Sequence, residues 1–249
     1  MASLNTFGGS PPKQTWLRRF FAELHEFLNG HYLSDEQRYR FGRFLQAAEL
    51  LSKKKPTPFA NLVKNFGWDR EAALGLILTN LVFNNVQMRW FVENLPLEKT
   101  VSREEIELKL FSLGVTKNSA QAILRSFGRL SGTAFGLVLK FGKVAYDGKF
   151  LVSLTRTKVK VTDGRVILYA LYKFSELRGE RQFRLSELIE SPLSPAKIFG
   201  LSVEELEQFL NGLSANYPEY LNATFTHDLE KISLAVDKSP DDILKLFEV

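Results

Sequence analysis

Eleven of the fifteen charged residues between Val101 and Lys160 are basic, and their spacing decides what chemistry this stretch could do. Three of its four acids, Glu104, Glu105 and Glu107, fall within one helical turn, so the chain beyond them is almost purely cationic. Lys117, Asn118, Gln121, Arg125 and Arg129 recur at helical spacing, and these residue types bond phosphates and base edges. Lys140, Lys143, Lys149, Arg156 and Lys158 carry the basic run into alternating residues joined by Asp147-Gly148, a hairpin signal. A cationic helix followed by a cationic hairpin is the footprint expected on phosphates. These ten residues are therefore the candidate nucleic-acid-binding set, with duplex DNA as the expected partner. The plainer alternative is a solvated charged face on a protein-docking module.

Other chemistries find little support. The chain has no Cys, which removes disulfides, thiolate metal sites and Cys nucleophiles. His25 and His31 are six residues apart and do not share one helical face, and His227-Asp228 reads as a turn. No Walker-type loop or Gly-x-Ser-x-Gly elbow is present, and Gly132 to Gly136 reads as a bend. Asp35-Glu36, Glu104-Glu105 and Asp241-Asp242 all sit at helix starts, where capping and the helix dipole account for them. No catalytic residue, metal ligand or cofactor is expected, and the enzyme reading leans to no.

The elements that must position the basic set follow from periodicity and caps. Trp16, Phe20, Leu24 and Phe27 place a helix over Lys13 to Leu28, and Ser34 with Gln37 opens a second running to about Lys54. Helices over Phe59 to Phe66, Asp69 to Asn84 and Met88 to Leu95 complete a helical part from 1 to 100. Ser102 and Glu105 form a capping box opening a helix to about Ser112. A turn at Leu113 to Thr116 and a helix over Lys117 to Leu130 come next, then strands around Leu137 to Phe141, Lys143 to Tyr146 and Lys149 to Thr155. Helix, turn, helix and hairpin spell a winged helix over 101 to 160. The same order recurs over 161 to 249 without a sequence repeat, in helices over Arg165 to Glu176, Leu185 to Ile189 and Ser202 to Leu213. Strands at Tyr220 to Phe225 and Lys231 to Val236, and a last helix from Ser239, complete it. The expected fold is mainly α, a helical part followed by tandem winged-helix-like units with small β-hairpins.

Charge separates the two halves. From Ser186 onward there are four basic and twelve acidic residues, against 29 and 16 before it. Such polarity marks a chain whose basic part meets a polyanion while its acidic part faces solvent or a protein partner. Met1 to Pro12 has no apolar signal core, and Ala72 to Phe83 is too short to span a bilayer, so a cytoplasmic location off the membrane is expected.

Ile167-Leu168-Tyr169-Ala170-Leu171, Leu185-Ser186-Glu187-Leu188 and Ser194-Pro195-Ala196-Lys197-Ile198-Phe199-Gly200-Leu201 resemble a bacterial family of previously uncharacterised function. Its members lie beside PAPS-reductase-like proteins in DNA-phosphorothioation and anti-phage islands. Phe7-Gly8-Gly9 followed by Trp16-Leu17-Arg18 is similar to the family's start. The family's usual Gly-His-Glu-Thr-Phe run reads Gly9-Ser10-Pro11-Pro12-Lys13 here, and its early helix-turn-helix is shortened or missing. The family includes the nicking component of one phosphorothioation defence system, so the resemblance implies a DNA-directed role. No catalytic residue carries over, because no position matches a catalytic motif. The expected function is a DNA-binding accessory component of a bacterial anti-phage or DNA-modification system, with other subunits of that complex as partners. The alternatives are a non-catalytic protein-interaction subunit and a metal-dependent DNA nickase.

Overall fold

The computed structural model describes residues 14–24, 35–53, 55–130, 142–147, 150–226 and 229–248. It is mainly helical, with three small antiparallel sheets. Ser34, the three histidines, Gly132 to Gly136 and Leu137 to Phe141 lie outside the described residues.

The helical part contains α1 (Gln14–Ala22), α2 (Asp35–Ala47), α3 (Pro58–Phe66), α4 (Glu71–Asn84) and α5 (Val86–Asn94). One expectation is corrected here, because α2 ends at Ala47 and not near Lys54. Glu49 (φ 60°) and Lys53 (φ 46°) turn the backbone into the left-handed region, which no α-helix continues through. A two-residue hairpin, β1 (Leu51–Ser52) with β2 (Lys55–Pro56), occupies that space instead. Thr57 then caps α3 by accepting from the Ala60 amide, with Pro58 in the first turn.

Two helices buried nearly all round form the axis of the molecule, α4 and α8 (Gly164–Arg178). They approach so closely at Gly75 that a Cβ there would lie 2.7 Å from Val166 Cγ1. Deeper in the same contact, the Tyr169 hydroxyl donates to Asn80 Oδ1 at 2.7 Å. Tyr169→Phe is expected to cost about 1–2 kcal/mol by leaving that carbonyl oxygen buried and unpaired. Burial, the largest cause, and the Glu49 carboxylate hold the Tyr169 hydroxyl well above its ordinary range. The neutral phenol is thus favoured in the fold, and its stabilising effect is intact below pH 10 and lost as pH rises beyond the ordinary tyrosine value of about 10. Chemical denaturation from pH 8 to 11 should show the gap between wild type and Tyr169→Phe shrinking above pH 10; a constant gap would contradict the account.

After α5 comes strand β3 (Thr100–Ser102), then α6 (Arg103–Ser112), α7 (Lys117–Leu130) and the pair β4 (Gly142–Asp147) and β5 (Phe150–Arg156). The Ser102–Glu105 capping box forms as its residues require, and Gly114 (φ 76°) makes the turn between the helices. The sheet order is β3-β5-β4, with Val101 and Val144 flanking Leu154. Ile106, Leu110, Ile123 and Leu124 share one buried core with Leu151 and Leu154, and Phe127 meets the rings of Trp90 and Phe91.

The second half repeats this order. Strand β6 (Gln182–Phe183) precedes α9 (Leu185–Glu190), α10 (Pro195–Phe199) and α11 (Val203–Asn216). The pair β7 (Leu221–Thr226) and β8 (Leu229–Leu234) comes after them, then α12 (Pro240–Lys245). Its sheet order is β6-β8-β7, with Phe183 and Ala223 flanking Ile232. In both sheets the last strand lies in the middle and the short strand before the helices closes one edge. All of the buried apolar residues of the described chain belong to one connected core.

Candidate nucleic-acid interface

Helix α7 is amphipathic, and its two faces are set by the spacing of its residues. Ala120, Ile123, Leu124 and Phe127 are buried against β5, which leaves Lys117, Asn118 and Arg125 exposed on the opposite side with Gln121 half-buried between them. The Arg125 guanidinium donates Nε–H to the Gln121 carbonyl at 3.2 Å and so lies along its own helix. Lys143 is exposed on β4, opposite Thr155 of β5. The helix packs on the hairpin close enough that a Cβ on Gly128 would strike the Tyr146 hydroxyl at 2.5 Å. Among the described residues, Lys117, Arg125 and Lys143 form no ion pair. Exposed cations without carboxylate partners keep their full charge for a polyanion. The side chain of Arg129, and residues Lys140 and Lys149, lie outside the described part of the chain.

Arg156 and Lys158 are placed differently from the other basic residues. Arg156 is 5% exposed, and its guanidinium donates to Val92 O at 2.8 Å, to Leu95 O at 3.4 Å and to Lys197 O. Those carbonyls belong to the C-terminal turn and cap of α5 and to α10, where a helix leaves acceptors unpaired. No carboxylate pairs with Arg156 among the described residues, and desolvation lowers its pKa to about 10. Arg156 therefore joins the helical part, the first sheet and the second half instead of extending the exposed array. Lys158 is exposed, with its ammonium on Glu205 and its amide donating to Glu98 Oε1 at 2.9 Å. Lys160, just beyond it, pairs with Glu71 at 3.3 Å.

The corresponding helix of the second half has the opposite character. Helix α11 carries Glu204, Glu205 and Glu207 and no Lys or Arg. Hydrogen bonds hold Glu204 and Glu205 below their ordinary carboxylate range, to its own backbone and Ser202 for the first and to Lys158 and Ser202 for the second. Sequence reasoning passed over a different feature, the outward face of α6. Leu108 (67% exposed), Phe111 (40%) and the adjoining Leu113 (55%) lie uncovered there, with acidic residues around them. The signal was present in the apolar i, i+3 pair placed among charges.

No protein-family model matches this sequence, and no curated protein matches it. Two solved structures share the fold. A magnesium-ion-bound crystal structure of SspB matches with a TM-score of 0.67 and 13% identity, over 99% of this chain and 89% of that one. A second crystal structure of SspB matches with the same TM-score and identity, over 96% of this chain and 84% of the other.

Proposed function

We propose that this protein is a DNA-binding accessory component of a bacterial anti-phage or DNA-modification system, contacting the duplex through α7 and the β4–β5 hairpin. The observation that carries the reading is the exposed array of Lys117, Arg125 and Lys143, without ion pairs among the described residues, on a helix and a hairpin packed together. Strand orders β3-β5-β4 and β6-β8-β7 support two winged-helix units, over 101 to 160 and 161 to 249, behind a helical part over 1 to 100. The defence or modification setting draws on the family resemblance in the sequence together with the fold shared with SspB.

Titration of purified protein with duplex and single-stranded DNA across a salt series tests the reading. The expected result is duplex binding whose log affinity falls linearly with log salt, at about 0.9 per phosphate neutralised. No binding at low salt would reject the interface. It would favour the second reading, a non-catalytic subunit docked through Leu108, Phe111 and Leu113, whose exposure is the observation behind it.

A third reading, metal-dependent strand nicking, gains nothing from the side chains in view. Among the described residues no three or more His, Asp or Glu lie together as a metal site.

A further inference from the structure

The seam where the helical part meets both halves holds a cleft of about 590 Å³, within the range of small-molecule sites. Arg156 lies in its wall, and the cleft's other charged groups are Lys109, Lys197, Glu93 and Glu190. Three cations face two carboxylates, an excess of one positive charge. Arg156 is the least solvated of the five, and three of its N–H groups are taken by the Val92, Leu95 and Lys197 carbonyls. A guanidinium carries five N–H donors, so two remain without a protein acceptor among the described residues. Carbonyls supply dipoles but no countercharge, so an uncompensated cation persists at the edge of a cleft of mixed lining, whose apolar part is formed by residues such as Pro96, Leu97, Pro192 and Leu201.

We propose that this cleft binds an apolar monocarboxylate, its carboxylate on the two uncommitted N–H groups of Arg156 and its apolar body along the proline and leucine walls. A single negative charge balances the excess. A planar carboxylate matches the guanidinium edge, and the partly closed cleft strengthens the pairing relative to water. Lys197 forms no ion pair among the described residues, and Lys109 donates only to Asn94 O at 3.3 Å, so both ammonium groups are available at the rim. The site is separate from the α7 face, and occupancy here does not depend on DNA contact there.

The test is calorimetric titration of the full chain with phenylacetate, phenylacetamide and inorganic phosphate, repeated on Lys109→Glu/Lys197→Glu. Both substituted side chains are exposed, and an unchanged melting temperature confirms that the variant folds. Phenylacetate should bind saturably, with phenylacetamide about tenfold weaker or worse, and the variant should lose a similar factor. Absent saturation by phenylacetate, equal binding of the neutral amide, tighter binding of phosphate, or an affinity unchanged in the variant would each overturn the proposal.

Discussion

Charge reversal of Arg125 and Lys143 together is expected to weaken duplex binding on the order of a hundredfold and to lower the salt slope by about two, one unit per phosphate contact removed. The size reflects the site. Both side chains are exposed and lack carboxylate partners among the described residues, so reversal removes an attraction and introduces a repulsion without breaking any ion pair among them. Stability should change little, because neither side chain is part of the core. Lys231→Glu on β8 is the control, an exposed lysine on the equivalent hairpin of the acidic half. If that single reversal lowers the slope as much per charge as the α7 and β4 reversals do, the effect is one of net charge and the assigned surface is wrong.

Arg156→Ala is expected to reduce unfolding free energy by about 3 kcal/mol, which for a domain of this size lowers the melting temperature by roughly 6–12 °C. The cost comes from the orphaned partners. Val92 O, Leu95 O and Lys197 O lose a charged donor while staying at the buried junction of three parts of the fold. Arg156→Lys should recover only part of the loss, since one ammonium does not reproduce a planar fork aimed at three acceptors. The same variant separates two roles for this residue. A lowered melting temperature with an unchanged salt slope makes Arg156 a structural tie; a lowered slope with unchanged stability returns it to the phosphate-contacting set.

Much of the first unit was legible in the sequence because local rules govern it. The Ser102–Glu105 box starts α6 where expected, α7 matches Lys117 to Leu130, and the Asp147-Gly148 signal falls between two strands that do pair. The edge strands β3 and β6 were not read. At three and two residues they are too short for any periodicity and exist only through partners some fifty residues away. Helix α10 was missed for a similar reason, although Ser194 caps it and Pro195 begins it. The overlong α2 reflects apolar spacing that continues past Ala47 while the backbone turns left-handed at Glu49. Within the candidate site, counting charges could not separate Arg125 from Arg156, since burial of the second depends on carbonyls from distant helices. Strand phase held the one available signal: Arg156 lies two residues past Leu154 and so shares its inward side.

The units over 101–160 and 161–249 share a strand order and differ in sign, with a net of +7 for the first and −6 for the second. A body charged in this way experiences a torque as well as a pull near a polyanion, and turns before it touches. The acidic half would act as a vane, holding α11 and its glutamates away from the duplex while α7 leads. Occupied length along the DNA would then be set by one unit alone. On the proposed DNA-bound reading, the trailing half would present its acidic residues to solvent.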